Sequence, residues 1–225
     1  MTADNRFWNS VYQDGQENRY PWDYIVSFVY NFKPNIEASK TNILELGCGT
    51  ACNLWFCARE GFNVYGLDYS SHAIQKCEER FQAENLTGEF RCGDFTKIPW
   101  TDSTFHLVLD RGSLTCASFT EITNAFDDIF RALKPGGRFI FSPYARTHTS
   151  ALSGIYNEET RLVSNIDAGS LQGIEQICFF DEKQIYEVIG NKWNILDIEL
   201  LTKEKLHENM KSIHAEYHVV LEKPH

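Results

Sequence analysis

Four acidic residues recur where a strand would be ending: Glu45 in ILELGCG, Asp68 in VYGLDYS, Asp94 in RCGDF and Asp110 in LVLDRGS. The first stands just before Gly47-Cys48-Gly49, and the second follows Gly49 by nineteen residues. Glycine in a strand-to-helix turn lets backbone approach a ligand closely, and a carboxylate at the end of the next strand is where a doubly wound fold accepts hydrogen bonds from a ribose diol. Ligands of open parallel sheets bind beyond the carboxyl ends of the strands, so acids at successive strand ends converge on one crevice. The chemistry read from this spacing is adenosine binding. Any one of these acids alone reads equally well as a solvated loop residue or a helix cap; their repetition carries the reading.

The elements that must position these residues alternate between two periods. NILEL (42–46), NVYGL (63–67), GEFRC (88–92), TFHLVL (104–109) and RFIFS (138–142) read as strands, and the stretches between them carry apolar residues at helical spacing. One helix is predicted from near Ala51 to Gly61, a second begins at Ser70 or Ser71 as N-cap, and a third runs from about Thr120 to Leu133 and is stopped by KPGG at 134–137. This alternation specifies a parallel sheet wrapped by helices. Residues 145–176 are rich in Ser, Thr, Asn and Gly and lack periodicity, which marks a lid or acceptor-binding insertion. Asp181 is placed to cap a short helix closing at Gly190, and strands near 193–201 and 215–222 follow, close enough in sequence to pair antiparallel.

Composition narrows the function. The 225 residues fit one α/β domain, and a formal charge of −10 opposes extended binding to nucleic acid, which needs clustered Lys and Arg. No apolar run approaches the roughly 20 residues that span a bilayer, and the start MTADNRFWNS lacks the pattern of a signal peptide, so a soluble cytoplasmic protein is expected. Seven cysteines, an odd number scattered through apolar segments, read as reduced packing residues. Cys48, Cys52 and Cys57 crowd together without zinc spacing or a nearby His, so no metal site is expected. The composition leaves the oligomeric state open.

Assembled in this order, the residues resemble the class I S-adenosylmethionine-dependent methyltransferase family over roughly 40–142 and more loosely to the C-terminus. ELGCGTA resembles the family's acid-x-Gly-x-Gly-x-Gly string with Ala51 in place of the last glycine, a conservative change that crowds the helix start; VYGLDYS, CGDF and LKPGGRFIFS resemble the segments that follow. The resemblance implies a Rossmann-like doubly wound sheet of order 3-2-1-4-5-7-6, strand 7 antiparallel and helices on both faces. It also implies S-adenosylmethionine as cofactor and S-adenosylhomocysteine as product. Gly47 and Gly49 would face the methionine part, Asp68 the ribose, and Asp94 with Phe95 the adenine edge. Glu45, Cys48, Tyr69 and Asp110, with Tyr12 and Arg19 from the N-terminal segment, complete the expected cofactor set. The expected organisation is one domain with a cap at 1–40, a cofactor core at 41–142, an acceptor lid at 145–176 and a closing helix and strand pair at 177–225.

Methyl transfer from a sulfonium needs alignment and dryness more than a nucleophilic triad. A hydroxyl or ammonium acceptor must also lose a proton, and Asp110, His148, Tyr144 and Tyr20 are the candidate bases. Trp8, Tyr12, Tyr20 and Trp22 are placed to wall a cationic ligand, and Arg146 suits an acceptor carboxylate or phosphate. A small-molecule acceptor is expected, with glycan-like or lipid-like metabolites included. Two other readings stand beside this one: an NAD-binding Rossmann oxidoreductase, disfavoured because Cys52 holds the third glycine position of G-x-G-x-x-G, and a catalytically silent cofactor-binding partner subunit.

Overall fold

The computed structural model describes residues 5–207 and 211–225. Helices α1 (Asn5–Gln13) and α2 (Asp23–Phe32) precede an alternating run of β1 (Asn42–Leu46), α3 (Cys52–Arg59), β2 (Asn63–Asp68), α4 (Ser71–Ala83), β3 (Glu89–Cys92), β4 (Phe105–Asp110), α5 (Phe119–Ala132) and β5 (Leu133–Phe141). Then come α6 (Thr149–Leu152), β6 (Ile155–Tyr156), β7 (Leu162–Ser164), β8 (Gln176–Cys178), α7 (Glu182–Ile189), β9 (Asn194–Lys205) and β10 (Ser212–Glu222). Seven strands form one sheet of order β3-β2-β1-β4-β5-β10-β9, parallel through β5 and closed by antiparallel β10 and β9. With β9 and β10 counted as sixth and seventh, this is the expected order.

Period-two alternation sorts the side chains into two cores. Leu44 and Leu46 of β1 face α5 and α7, with Ile122, Phe126, Ile185 and Val188 across the interface. Ile43 faces the other way, among Ile25 and Phe28 of α2, Leu54 of α3 and Ile74 of α4. Local chemistry fixes the helix starts. The Ser70 hydroxyl accepts from Ala73 N–H at the head of α4, and reciprocal capping boxes start α5 (Ser118 with Glu121) and α7 (Asp181 with Gln184).

Three expectations change in detail. KPGG does not simply stop α5: β5 already begins at Leu133, which pairs with Phe105, and the register then jumps so that Arg138 meets Leu107. KPGG is therefore looped out of the ladder, with Gly136 at φ +72°. The segment 145–176 is not structureless, because β6, β7 and β8 form a small antiparallel sheet over a core of Cys116, Tyr144, Val163, Leu171, Ile177 and Phe179. Its strands are two or three residues long, too short for alternation to show in sequence. The closing ribbon extends further than expected, through Lys205 and from Ser212. Residues 1–4 of the expected cap lie outside the described residues. Among the described residues no helix is long and apolar enough to cross a membrane.

Candidate active site

Leu46 of β1 sits level with Asp110 of β4 and Leu67 of β2, and Asp68 level with Cys92 of β3, so the carboxyl ends of four strands come out flush. A cavity of about 590 Å³ opens above them, within the range usual for small-molecule sites. Glu45, Gly47, Cys48, Gly49, Asp68, Tyr69, Asp94 and Phe95 line it, and Trp8, Tyr12 and Trp22 wall the side facing the N-terminal helices.

Backbone geometry shapes this half. Gly47 and Gly49 both have positive φ, +61° and +52°. A Cβ at Gly47 would run into Ser113, and one at Gly49 would stand 2.8 Å from the Tyr12 hydroxyl, so only glycine fits either position. The N–H of Gly49 donates to Asp68 Oδ2 at 2.8 Å and that of Ser70 to Oδ1 at 2.8 Å, tying the glycine turn to the end of β2. Burial raises the Asp68 carboxyl above its ordinary value, against the lowering effect of these amides. An ionised carboxylate offers about four lone-pair sites, so both oxygens keep capacity for a ligand. Asn53 donates to Glu45 Oε1 at 2.6 Å and accepts the N–H of Trp22 at 3.0 Å. Among the described residues Glu45 Oε2 is buried with no partner, and burial pushes its carboxyl up to about 8. A ligand ammonium would supply both the missing donor and the missing charge. Helix α1 is held across this half by Asn9 Oδ1, which accepts from the Ser70 hydroxyl at 2.7 Å, and by Gln13, 2.8 Å from His72.

The opposite wall is built from side chains far apart in sequence. Arg111 stacks 3.7 Å from the centre of the Trp22 ring and donates to the Tyr144 hydroxyl at 3.0 Å. Its other terminal nitrogen lies 3.9 Å from Glu216. Three residues on one face of β10 alternate as His214, Glu216 and His218, and both imidazoles reach the Glu216 carboxylate through Nε2, at 3.3 and 3.0 Å. Burial pushes the Glu216 carboxyl upward, but these two bonds and the Arg111 charge win and hold it well below the usual carboxylate range. His214 Nδ1 in turn lies 3.1 Å from both His148 Nε2 and the Ser170 hydroxyl. Arg111, Tyr144, Ser170 and His214 line the cavity, with Cys116, Ile174 and Ile177 as its apolar floor.

Five expected site residues stand elsewhere. Tyr20 is 77% exposed in the segment before α2 and is outside the cavity lining, so it is no base for an enclosed acceptor. Arg19 also points to solvent, 3.6 Å from Glu17. Asp110 is fully buried beneath the cavity, where Oδ1 accepts the N–H groups of Ser113 and Leu114 at 3.0 and 2.9 Å; it holds the Arg111–Ser113 turn rather than meeting a ligand. His148 is buried behind the lining, caps α6 by accepting the Ser150 N–H at 3.0 Å, and is kept neutral by burial and by His214, which push its pKa down to about 4. Arg146 lies outside too, bonded to Gln184 and Tyr156. Sequence reasoning missed Arg111, Ser170, His214 and Glu216. The period-two pattern His-x-Glu-x-His at 214–218 was the visible signal for two of them.

Residues 43–137 match the family described as Methyltransferase domain. The arsenite methyltransferase of Halobacterium salinarum is 32% identical over 47% of this chain and 27% of its own length. The sterol 24-C-methyltransferase of Schizosaccharomyces pombe is 29% identical over 72% of this chain and 42% of its own. The chain thus spans less than half the length of these curated relatives. A solved S-adenosylmethionine-dependent methyltransferase from Methanosarcina mazei superposes with a TM-score of 0.69 at 18% identity, covering 91% of this chain and 99% of that one. Fold, motif order and family match agree on the class: residues 43–137 are a Methyltransferase domain, and the chain has the fold of the class I S-adenosylmethionine-dependent methyltransferases. The methyl donor of that family carries an ammonium and a ribose diol, and the unpartnered Glu45 oxygen and the Asp68 carboxylate at the glycine turn fit them.

Proposed function

We propose that this chain methylates a small molecule enclosed in the cavity, using S-adenosylmethionine. One observation carries the reading: the Glu45–Asp68 wall and the Arg111–Tyr144–His214 wall line the same cavity. When bound, the cofactor supplies an electrophilic methyl group on a sulfonium that is already a good leaving group. Glu45 accepts from the ammonium, Asp68 from the ribose hydroxyls, and Asp94 with Phe95 borders the adenine. Trp8 and Tyr12 exclude water and present ring faces to positive charge. The 145–176 segment brings Ser170 and Leu171 to the far wall and selects the acceptor, as loops on a rigid scaffold do.

His214 takes the role that sequence had spread over Asp110, His148, Tyr144 and Tyr20. Because Ser150 N–H donates to His148 Nδ1, neutral His148 carries its proton on Nε2 and directs it toward His214 Nδ1 or the Ser170 hydroxyl. Glu216 accepts at the other side, which fixes the His214 proton on Nε2 and leaves Nδ1 as the basic atom. With the His148 proton directed to Ser170 Oγ, the Ser170 hydroxyl donates to Nδ1; a proton leaving an acceptor hydroxyl or ammonium passes to Ser170 Oγ as the Ser170 proton passes to Nδ1, and Glu216 balances the resulting charge. Calorimetry with S-adenosylhomocysteine, followed by transfer of labelled methyl into a fractionated metabolite extract, tests the reading. Binding and a labelled low-mass product are expected, and His214→Ala should lower kcat by roughly 100-fold while cofactor affinity stays within about twofold. NAD binding without S-adenosylhomocysteine binding would overturn the reading, and cofactor binding with no labelled product would favour a silent partner subunit.

A further inference from the structure

The sheet ends in two very different edges. At one side β3 has only four residues. At the other, β9 runs for twelve residues without Pro or Gly, pairs among the described residues only with β10, and is solvent-exposed throughout except for half-buried Ile198. Its single irregularity, a bulge opposite Val220 and Leu221, precedes Asp197, so the stretch from Asp197 to Lys205 is regular. Long, regular edges are templates for another strand, and proteins that keep them unpaired usually shorten, kink or charge them.

The charges here are not spread as a deterrent. On one face β9 carries Asp197 and Glu199, then Leu201, then Lys203 and Lys205. None of the four charged side chains makes a hydrogen bond or ion pair among the described residues. We propose that this edge pairs antiparallel with the same edge of a second copy, about a two-fold axis at Leu201. In that register Asp197 lies opposite Lys205 and Glu199 opposite Lys203, each pair repeated by symmetry, while Leu201 meets its own copy. On the other face Leu200, 51% exposed in the single chain, meets Thr202, and Glu204, the strand's one further charge, lies opposite Ile198 and away from the other Glu204. Moving the axis to Leu200 leaves only Asp197 with Lys203, and moving it to Thr202 leaves only Glu199 with Lys205. An in-register parallel pair would set like charges together. Cross-strand opposite charges stabilise and like charges destabilise, so the pattern selects this partner, orientation and register together.

Sedimentation equilibrium on the whole chain tests the proposal. The wild type should form a dimer that weakens with salt. K203E/K205E leaves that face of the strand uniformly acidic, D197K/E199K leaves it uniformly basic although Glu204 stays on the other face, and each alone should dimerise at least roughly tenfold more weakly. Mixed in equal amounts they should recover a heterodimer, because every facing pair is again opposite in sign. That recovery also shows that both variants are folded. A wild type that stays monomeric at micromolar concentrations, variants that dimerise as well as the wild type, or a mixture that stays monomeric would each overturn the proposal.

Discussion

The two walls of the cavity are built by different means. Glu45, Gly47, Gly49 and Asp68 fall within one short stretch of sequence, and neighbouring parallel strands set them side by side, with backbone amides holding the Asp68 carboxylate. Arg111, Tyr144, Ser170 and His214 come from four separate segments and hold one another by side-chain contacts. A wall held by backbone depends on the fold alone. A wall held by side chains depends on every partner, and one substitution can re-aim it. The first arrangement suits a ligand common to a family, the second a ligand particular to one member.

The largest expected break in this division is Asp68→Ala. It removes the acceptor proposed for the ribose diol and frees the Gly49 and Ser70 amides, so the glycine turn loses its anchor to β2. Two charge-assisted bonds at about 1.5 kcal/mol each correspond to roughly 100-fold in S-adenosylhomocysteine affinity, measured by calorimetry. The Arg111–Tyr144 wall should stay intact, seen as unchanged acceptor KM at saturating cofactor. Affinity within twofold of the wild type in a folded variant would mean that the ribose is held elsewhere.

The same division explains what the sequence disclosed. Strand ends are periodic features, so the helix-wrapped parallel sheet and the acids at 45, 68 and 94 were legible from alternation and spacing, and the sheet order followed from the family resemblance of those motifs. Asp110 was legible as a strand end but not as a buried latch, because burial depends on how the following turn folds back under the cavity. Ala51 was read as crowding its helix. It instead takes the left-handed conformation, φ +58°, so the cost of replacing glycine is backbone strain of about 1 kcal/mol. The other wall was hidden because its members meet only in three dimensions: His148, the histidine picked from the lid, turns out to stand behind His214, which a strand some sixty-six residues later brings forward.

A middle-sized effect separates Glu45 from the rest of its wall. Burial holds its carboxyl near 8, above the ordinary 4.5, so the folded empty protein keeps a proton that the unfolded chain releases between those values. Glu45 therefore costs stability increasingly as pH rises through that window, and Glu45→Gln should raise Tm by a few degrees, about 2–4 °C per kcal/mol, near pH 8 and by little near pH 5. An ammonium ligand binds the ionised form, so wild-type affinity for S-adenosylhomocysteine should climb with pH from about 6 to 8, at up to roughly tenfold per unit, whereas the Gln variant should bind more weakly and without that slope. A flat wild-type profile would remove Glu45 from the ammonium site.

The smallest expected effect marks where the acceptor wall ends. Arg146 follows β5 closely enough that sequence alone places it over the crevice, yet Ala145 bridges to Phe180 and the chain turns there. The turn carries the guanidinium to α7, where Nε donates to Gln184 at 2.9 Å and Nη2 to the Tyr156 hydroxyl at 3.0 Å. It borders a separate hollow with Ala151, Leu152 and Phe179. Gln184 keeps its capping bond to Asp181 without Arg146, and Tyr156 is half exposed, so Arg146→Ala leaves no buried group stranded. The variant should lose at most about 1 kcal/mol of stability and keep cofactor affinity and acceptor KM within about twofold. His214→Ala, measured in the same assay, supplies the contrast. A tenfold rise in acceptor KM for Arg146→Ala would mean that the acceptor reaches past Tyr144 into the outer hollow, and the specificity wall would have to be redrawn to include α7.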